Sequence, residues 1–347
     1  MKFYTQEHQY YCGIDLHARK MYVCIIDHKS KTIVHKNIDT DAEQFFELIF
    51  PYLEDIVVAV ECMFSWYWVS DLCAEHQIPF IVGHALYMRS IHGAKTKNDK
   101  IDSYKIAKLV RGGNFPLAYA YPKDMRATRD LMRRRTFYVR RSAELLAHIQ
   151  NTNTQYNLPA FDKKISRKYN RDGVVDRFED PAVQSSIAAD LSMIDAYHKN
   201  IVQLEWQIEK SAKHHDHHTY LLLKTVPGIG SVLALTILYE ICTIERFPSV
   251  GDFSSYCRLI RPEKESNGKQ AGKGNGKIGN AHLKWAIREA ATILLRESKP
   301  AKQYKDRLAK KYDPGKAMGI LTHKLGRSIY FMLKNKEPFN MNRFLGN

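Results

Sequence analysis

Four acidic residues in the first third of the chain have the types and spacing of a metal site. Asp15 ends one strand-like run, Cys-Gly-Ile-Asp, and Glu61 ends another, Val-Ala-Val-Glu. Asp99 and Asp102 are three residues apart in a helical pattern, so their carboxylates face one side of the helix. If the two strands are neighbours, all four carboxylates meet at one sheet edge and repel one another without cations. Hard divalent ions take oxygen ligands, so the pattern predicts a site for Mg²⁺, with Mn²⁺ as the alternative ion.

Each acid taken alone also has an ordinary structural explanation. The two strand-end acids could be solvated turn residues, and Asp99 could cap its helix. Their combination in this order favours a two-metal site that activates an attacking oxygen and stabilises a leaving oxygen on phosphorus. Asp27, Asp55 and Asp71 are predicted to be surface acids.

A second candidate for phosphate chemistry is Ser266, in a segment rich in glycine and lysine. Residues 261–273 are Arg-Pro-Glu-Lys-Glu-Ser-Asn-Gly-Lys-Gln-Ala-Gly-Lys. A small hydroxyl beside glycine suits attack on a phosphate, or binding of one. Lys269, Lys273 and Lys277 are the predicted contacts to a nucleic-acid backbone. An ordinary loop serine is the alternative.

The segment Thr225–Gly230, Thr-Val-Pro-Gly-Ile-Gly, precedes an apolar helix and resembles the turn of a helix-hairpin-helix motif. Gly228 and Gly230 would let backbone N–H groups approach a DNA phosphate at a helix N-terminus. A glycine-rich turn between packed helices is the alternative.

A sheet edge with a helix beside it would bring the four acids together, and the hydrophobic patterns predict both elements. In chain order, the predicted strands are 11–15, 21–27, 32–37, 56–61 and 79–82, and the predicted helices are 41–53, 65–75 and 99–111. This β-β-β-α-β-α-β-α order is that of a ribonuclease-H-like (RuvC-like) α/β domain, which we predict for residues 1–120.

Two long helical patterns follow, at 123–156 and 183–215, on either side of a polar segment at 162–180. We predict a coiled-coil hairpin or dimerisation arm over residues 121–218, with a plain helical linker as the alternative. Residues 219–347 are predicted to form a mostly α-helical, basic domain, interrupted by a loop at 267–280.

The distribution of charge indicates a polyanionic partner. The net charge is +16, and residues 258–336 hold 20 Lys and Arg against 6 Asp and Glu. Nucleic acid is favoured over anionic lipid because no amphipathic anchor accompanies the charge. No apolar run approaches the roughly 20 residues that span a bilayer, the start lacks a signal-peptide pattern, and the six cysteines form no C-x-x-C pair. We therefore expect a cytoplasmic protein with no membrane partner.

Two unrelated motif sets thus occur in one chain. The first is the D-E-D-D pattern of Asp15, Glu61, Asp99 and Asp102. The second is Pro-Gly-Ile-Gly at 227–230, Ser-Asn-Gly at 266–268, and Lys-Ile-Gly-Asn at 277–280 before a helix. Together they resemble the IS-one-ten (IS110) family of insertion-sequence transposases, which includes Piv-type DNA invertases.

The resemblance implies a RuvC-like domain that binds Mg²⁺ through the four acids, and Ser266 as a nucleophile forming a covalent phosphoserine link to DNA. It also implies a structured bridge RNA that selects donor and target sites. The family acts as a tetramer with composite sites from different subunits, which implies a homo-oligomer in the bacterial cytoplasm, associated with the nucleoid. In this chain Asn267 separates Ser266 from Gly268, where the commoner pattern has serine directly before glycine. The serines at 254, 255 and 328 are the alternative nucleophiles.

Three functions compete at this level. The first is a recombinase that cleaves through serine and conserves the ester energy for religation. The second is a RuvC-like, metal-dependent nuclease in which water attacks and Ser266 only binds the backbone. The third is a non-enzymatic nucleic-acid scaffold with structural acids. A covalent protein–DNA adduct separates the first from the second, and metal-dependent cleavage separates both from the third.

Overall fold

The computed structural model describes residues 2–91, 98–260, 263–267, 269–273 and 276–346. For 89–91, 263–266, 269–271 and 273 it describes the backbone alone. The chain forms two compact units, residues 1–123 and 124–347. None of the described helices is apolar over a stretch long enough to cross a membrane.

The first unit is built on a mixed, seven-stranded sheet. Its strands are β1 (Phe3–Tyr4), β2 (Tyr10–Leu16), β3 (Lys20–Asp27), β4 (Thr32–Asp39), β5 (Ile56–Glu61), β6 (Phe80–Gly83) and β7 (Phe115–Ala118). The order across the sheet is β1-β7-β6-β5-β2-β3-β4. β2, β3 and β4 form an antiparallel meander, whereas β5 is parallel to both β2 and β6. The central strands are therefore β5 and β2.

Helices cover both faces of this sheet. They are α1 (Ala42–Ile49), α2 (Tyr67–Glu75), α3 (Ala85–Ile91) and α4 (Asp99–Arg111). Side chains alternate between the faces of a strand, so Ile14 packs with α1 and α2 while Tyr11 packs with α3 and α4. The result is an α/β domain with the sheet between two helical layers.

The predicted strands and helices of the first unit are confirmed, with small shifts of their ends. The structure adds β1, α3 and β7, which the sequence did not predict. β7 has four residues and contains Pro116, a residue that argues against a strand because it cannot donate to the ladder. It lies near the sheet edge, where a proline is tolerated.

The second unit is mostly helical. Its helices are α5 (Lys123–Gln155), α6 (Pro181–His215), α7 (His217–Lys224), α8 (Ser231–Ile241), α9 (Val250–Tyr256), α10 (Ala281–Glu297), α11 (Lys299–Ala309), α12 (Pro314–Asn335) and α13 (Met341–Leu345), of which α5 begins at the last residue of the first unit. α8 is buried on all sides from Leu233 to Ile241, which makes it the central helix of this core. α5 ends one residue before its predicted end, and α6 begins two residues before its predicted start.

One prediction for this unit needs correction. Residues 267–280 were predicted as a loop, but part of the segment pairs as a hairpin of β8 (Glu263–Ser266) and β9 (Lys269–Lys273). Its glycines and lysines are depleted in strands, so composition favoured a loop. A turn at Asn267, with a φ of 52°, closes the hairpin.

Candidate functional site

Asp15 and Glu61 lie at the ends of neighbouring strands. β2 and β5 are parallel, and Ile14 is paired with Val60, so the next position along each strand brings Asp15 beside Glu61. Neighbouring strands are about 4.8 Å apart. By alternation, both acids point to the face that α4 covers. The sheet thus supplies the predicted edge.

Gly13 allows α4 to lie directly on β2. A Cβ atom at this position would be 2.4 Å from both the Ser103 carbonyl oxygen and the Ala107 amide nitrogen. Only glycine permits so close an approach of a helix backbone. The contact holds the first turn of α4, with Asp99 and Asp102, at the same end of β2 as Asp15.

Helix capping does not explain Asp99. The N-cap of α4 is Asn98, whose side chain accepts a hydrogen bond from the Lys100 N–H at 2.9 Å. Asp99 is the first helical residue and its side chain is 58% exposed. Its carboxylate is therefore available to a ligand.

His17 joins the two aspartates into one group. Its Nε2 lies 3.5 Å from Asp15 Oδ2 and 3.7 Å from Asp99 Oδ2. Within the described chain, these three residues form a group whose possible ligand atoms all lie within 4.8 Å of one another. His17 was not predicted, although it is the first residue after β2 and only two positions beyond Asp15.

Glu61 and Asp102 border this group without belonging to it. Glu61 is half-buried at the end of β5. Asp102 is in the first turn of α4, where Lys105 Nζ lies 3.6 Å from its carboxylate. The structure therefore brings two of the four predicted acids to within ligand distance of one another, with the other two on the same face.

The electrostatics of Asp15 suit a cation. Burial raises the pKa of Asp15, nearby His17 lowers it, and the charges of Asp99 and Asp102 raise it again, with a net increase. A carboxylate that is costly to ionise in the free protein gains most from a divalent cation. Carboxylate oxygens with one imidazole nitrogen are a donor set that fits such an ion, and the imidazole suits Mn²⁺ better than Mg²⁺.

The three predicted surface acids have structural roles. Asp27 accepts hydrogen bonds from Lys29 and Lys31 N–H in the β3–β4 turn. Asp55 accepts from Gln9 N–H at 2.8 Å and contacts His8. Asp71 lies 3.8 Å from Lys123 Nζ. Their partners account for these carboxylates without a metal.

Ser266 is the last residue of β8 and pairs with Lys269 of β9. The side chains of Ser266, Lys269 and Lys273 lie outside the part of the chain that the structure describes. Lys277, beyond the hairpin, is exposed. The backbone therefore places the serine beside the tight turn, at the end of the hairpin.

The C-terminal base of the hairpin is fixed to the core by Arg258. The Arg258 Nε donates to the Gly279 carbonyl at 2.9 Å, and its Nη2 donates to the Lys277 carbonyl. Gly279 has a φ of 95°, and a Cβ there would lie 2.6 Å from the Tyr256 carbonyl oxygen, so this turn requires glycine.

A buried ion network continues from this base. Glu240 of α8 is 1% exposed and accepts hydrogen bonds from Arg129 Nε at 3.1 Å, Arg133 Nε at 2.7 Å and Asn280 Nδ2 at 2.7 Å. The Asn280 Oδ1 in turn caps α10 by accepting from the His282 and Leu283 N–H groups. Burial alone would raise the pKa of Glu240, but the Arg133 hydrogen bond and both arginine charges lower it to about 2.

Two of the three alternative serines are already engaged or buried. Ser254 is 1% exposed, too buried for its hydroxyl to reach DNA. The Ser328 hydroxyl donates to the Lys324 carbonyl at 3.2 Å within α12. Ser255 is exposed on α9, a helix rather than a loop beside glycine.

The two glycines of the Thr225–Gly230 turn differ in their surroundings. Gly228 has a φ of 91°, and a Cβ there would lie 2.7 Å from the Leu294 amide nitrogen, so close packing against α10 explains this glycine. Gly230 is the exposed N-cap of α8, with open space around it. Of the two, Gly230 has the geometry to contact a phosphate.

Comparison with known families matches both halves of the chain. A sequence profile for the IS110 DEDD transposase, described as a transposase, matches residues 12–158. A second profile, described as the transposase IS116/IS110/IS902 family, matches residues 220–306. No curated protein matches the chain. The first match contains Asp15, Glu61, Asp99 and Asp102, and the second contains Ser266.

Proposed function

Because this chain belongs to the IS110 family of transposases, we propose that it cuts and rejoins DNA through the acidic group of its first unit and Ser266 of its second. A DEDD transposase depends on a divalent metal, and we propose Mg²⁺ or Mn²⁺ at Asp15, Glu61, Asp99 and Asp102. The observation that supports the proposal most is the convergence of Asp15, His17 and Asp99 within 4.8 Å, beside the end of β5.

The proposed fold of the first unit is ribonuclease-H-like. The antiparallel meander followed by parallel central strands supports this assignment, as does the position of the acids at the strand ends. Sites in such sheets form where the carboxyl ends of neighbouring parallel strands meet.

In the proposed reaction the Ser266 hydroxyl oxygen attacks a DNA phosphorus atom. A serine–phosphate bond forms, one phosphorus–oxygen bond of the strand breaks, and the departing deoxyribose oxygen takes up a proton. Rejoining is the reverse attack by a deoxyribose hydroxyl, so the ester energy is conserved. A divalent metal ion, when bound, would stabilise the negative charge that develops on the phosphate oxygens.

The proposed contacts to the DNA backbone are three lysines and one helix N-terminus. Lys269, Lys273 and Lys277 follow the proposed nucleophile in sequence, and Gly230 offers an exposed helix N-terminus. The family resemblance adds a structured bridge RNA as a guide and an oligomer in which Ser266 meets the acids of another subunit. These remain part of the proposal.

A metal-dependent nuclease using water is the second candidate. It is favoured by one observation, that Asp15, His17 and Asp99 all belong to the first unit. In that case Ser266 only binds the DNA backbone.

One experiment separates these two functions. Wild type, Ser266→Ala and Ser255→Ala as a matched exposed-serine control are incubated with the DNA ends of the element, flanking RNA and Mg²⁺, then resolved on a denaturing gel. We expect a denaturation-resistant protein–DNA adduct with wild type and Ser255→Ala, and none with Ser266→Ala, which still binds DNA. An adduct with Ser266→Ala would place the nucleophile elsewhere. Metal-dependent cleavage without an adduct in wild type would establish the nuclease.

A further inference from the structure

The segment between the two long helices is a folded structure rather than a loose connection. Residues 156–180, here called the hairpin tip, bury Ile165, Val174 and Phe178 against Ile149 of α5 and Ile187 of α6. These residues form a small hydrophobic core of their own. Whatever the tip binds therefore meets a preformed surface.

Arg171 holds the tip in shape from inside. Its side chain is 7% exposed, its Nε donates to the Ile165 carbonyl at 2.8 Å, and its Nη1 lies 2.5 Å from Asp195 of α6. Lys168 Nζ lies 3.2 Å from the other Asp195 oxygen. The Asp195 carboxylate is thus already shared between two cations.

One stretch of the tip is basic, between the exposed acids Asp162 and Asp172. Residues 163–171 include five Lys and Arg and no Asp or Glu. Lys163, Lys164 and Arg167 are exposed, and within the described chain none of the three is ion-paired. Their charge is therefore available to phosphates.

Tyr169 belongs to this basic stretch. It is 76% exposed, in a short 3₁₀ turn (Lys168–Asn170) that Asn170 ties to the Lys164 carbonyl at 3.1 Å. The hydrophobic core of the tip does not need this ring. An exposed aromatic ring among unpaired cations is the pattern on which an unstacked base binds while its phosphates are neutralised.

We propose that the hairpin tip binds single-stranded DNA, with Tyr169 stacked on one base and Lys163, Lys164 and Arg167 on the adjacent phosphates. DNA is favoured because the chain is a DNA transposase. A single strand is favoured because the bases of an intact duplex are stacked on one another and leave no face for the ring. The proposal depends on neither Ser266 nor the acids.

Photo-crosslinking tests where the strand lies. A single-stranded oligodeoxynucleotide carrying 5-iodouracil is irradiated with the full-length protein, without divalent metal, and the adducts are mapped by peptide mass spectrometry. We expect adducts at Tyr169 with wild type, and adducts only outside residues 163–171 with Tyr169→Ala. Failure of wild type to crosslink within 163–171 would contradict the proposal. The proposal would also be contradicted if unlabelled duplex DNA, or RNA of the same sequence, reduced crosslinking at the tip more effectively than unlabelled single-stranded DNA does.

The affinity of the tip for single-stranded DNA is measured from the yield of the tip adduct at increasing oligonucleotide concentration. Tyr169→Trp should preserve this affinity. Tyr169→Ala forms no tip adduct, so its affinity is measured by protection of Lys163 and Lys164 from acetylation, and should be roughly 5- to 150-fold weaker. Lys163→Gln with Lys164→Gln should lower the log–log salt slope by about 1.4, since each single-strand phosphate contact contributes roughly 0.7. Lys199→Gln with Lys213→Gln, an equal change of charge at two exposed sites on α6, should leave the slope unchanged. Equal effects of the two lysine pairs would overturn the proposal.

Discussion

His17 and Asp15 show how a pair of residues shapes the acidic group. The imidazole lies between the carboxylates of Asp15 and Asp99, at 3.5 and 3.7 Å. The two carboxylates repel each other, and a divalent cation held by them and by the imidazole nitrogen would offset that repulsion.

Asp15→Asn should abolish catalysis and spare the fold. Loss of a metal-ligating carboxylate should reduce strand cleavage by about 10³-fold or more. Without metal, the melting temperature should stay equal to wild type or rise, because the raised pKa of Asp15 shows that the fold disfavours its charged form. A strand-cleavage assay checks the first effect. Thermal melts with and without Mn²⁺ check the second, and the variant should lose the metal-induced increase in melting temperature.

Asp39→Asn is the matched control, because Asp39 pairs with Lys20 at the surface, 2.8 Å away. It should retain cleavage and the response to metal. An active Asp15→Asn enzyme would remove Asp15 from the proposed site.

Among single residues, the sequence predicted those whose role follows from local pattern. Asp15 and Glu61 are marked by ending apolar strands, and Asp99 by its place at a helix start. His17 has no such mark, because an exposed histidine after a strand is common. Glu240 is invisible in the sequence, since its arginine partners are over 100 positions away and only the packed structure brings them together.

At the scale of elements, Glu240 ties α5, α8 and the start of α10 together. Two arginines of α5 reach its carboxylate, and Asn280 links it to the α10 N-terminus. Asn280 directly follows Gly279, whose carbonyl Arg258 holds, so the network lies at the C-terminal base of the segment that carries Ser266. Breaking it should affect stability first.

Glu240→Gln should lower the free energy of unfolding by about 3 kcal/mol, because it removes the buried carboxylate that pairs with Arg129 and Arg133. The pKa of Glu240 is depressed to about 2 from 4.5, so its contribution is complete above about pH 4.5 and is lost as the pH falls towards 2. Urea unfolding between pH 7 and 2.5 should therefore show a shallower acid decline in the variant than in wild type.

Glu205→Gln is the control for this change. Glu205 pairs with Arg135 at 2.7 Å but is 37% exposed, so its loss should cost less than about 1 kcal/mol. If both variants lost the same free energy of unfolding, the burial of Glu240 would not increase its contribution to stability.

The elements that the sequence predicted share strong periodicity. β2, β3 and β5 alternate or are continuously apolar, and α4 begins at a polar cap and ends before Gly112-Gly113. The two-residue β1 is too short to show the alternation of apolar and polar residues that marks a strand in a sequence. The β8–β9 hairpin is held by its turn and by the anchored base at Arg258, both of which depend on contacts formed after folding.

At the scale of the whole molecule, charge separates the two units. The surplus of positive charge lies beyond residue 258, in the second unit, whereas the acidic group belongs to the first. This division suits a protein in which the basic second unit binds a polyanion and the acidic group of the first unit binds a metal ion.

Binding to the DNA ends should fall steeply with salt. Each phosphate neutralised on duplex DNA releases counterions, so six to ten contacts predict a loss of about 10³- to 10⁵-fold between roughly 50 and 200 mM salt. Fluorescence anisotropy over this range measures the slope. An affinity indifferent to salt would contradict a phosphate-dominated interface.

The two ends of the seven-stranded sheet carry a consequence for self-association. One edge is β1, only two residues long, and the other is β4, which has exposed Lys36 and Asp39 and a bulge where it pairs with β3 at Ile25 and Ile26. Short, charged or bulged edges discourage the addition of a strand from another chain. The sheet is thereby protected against edge-to-edge aggregation.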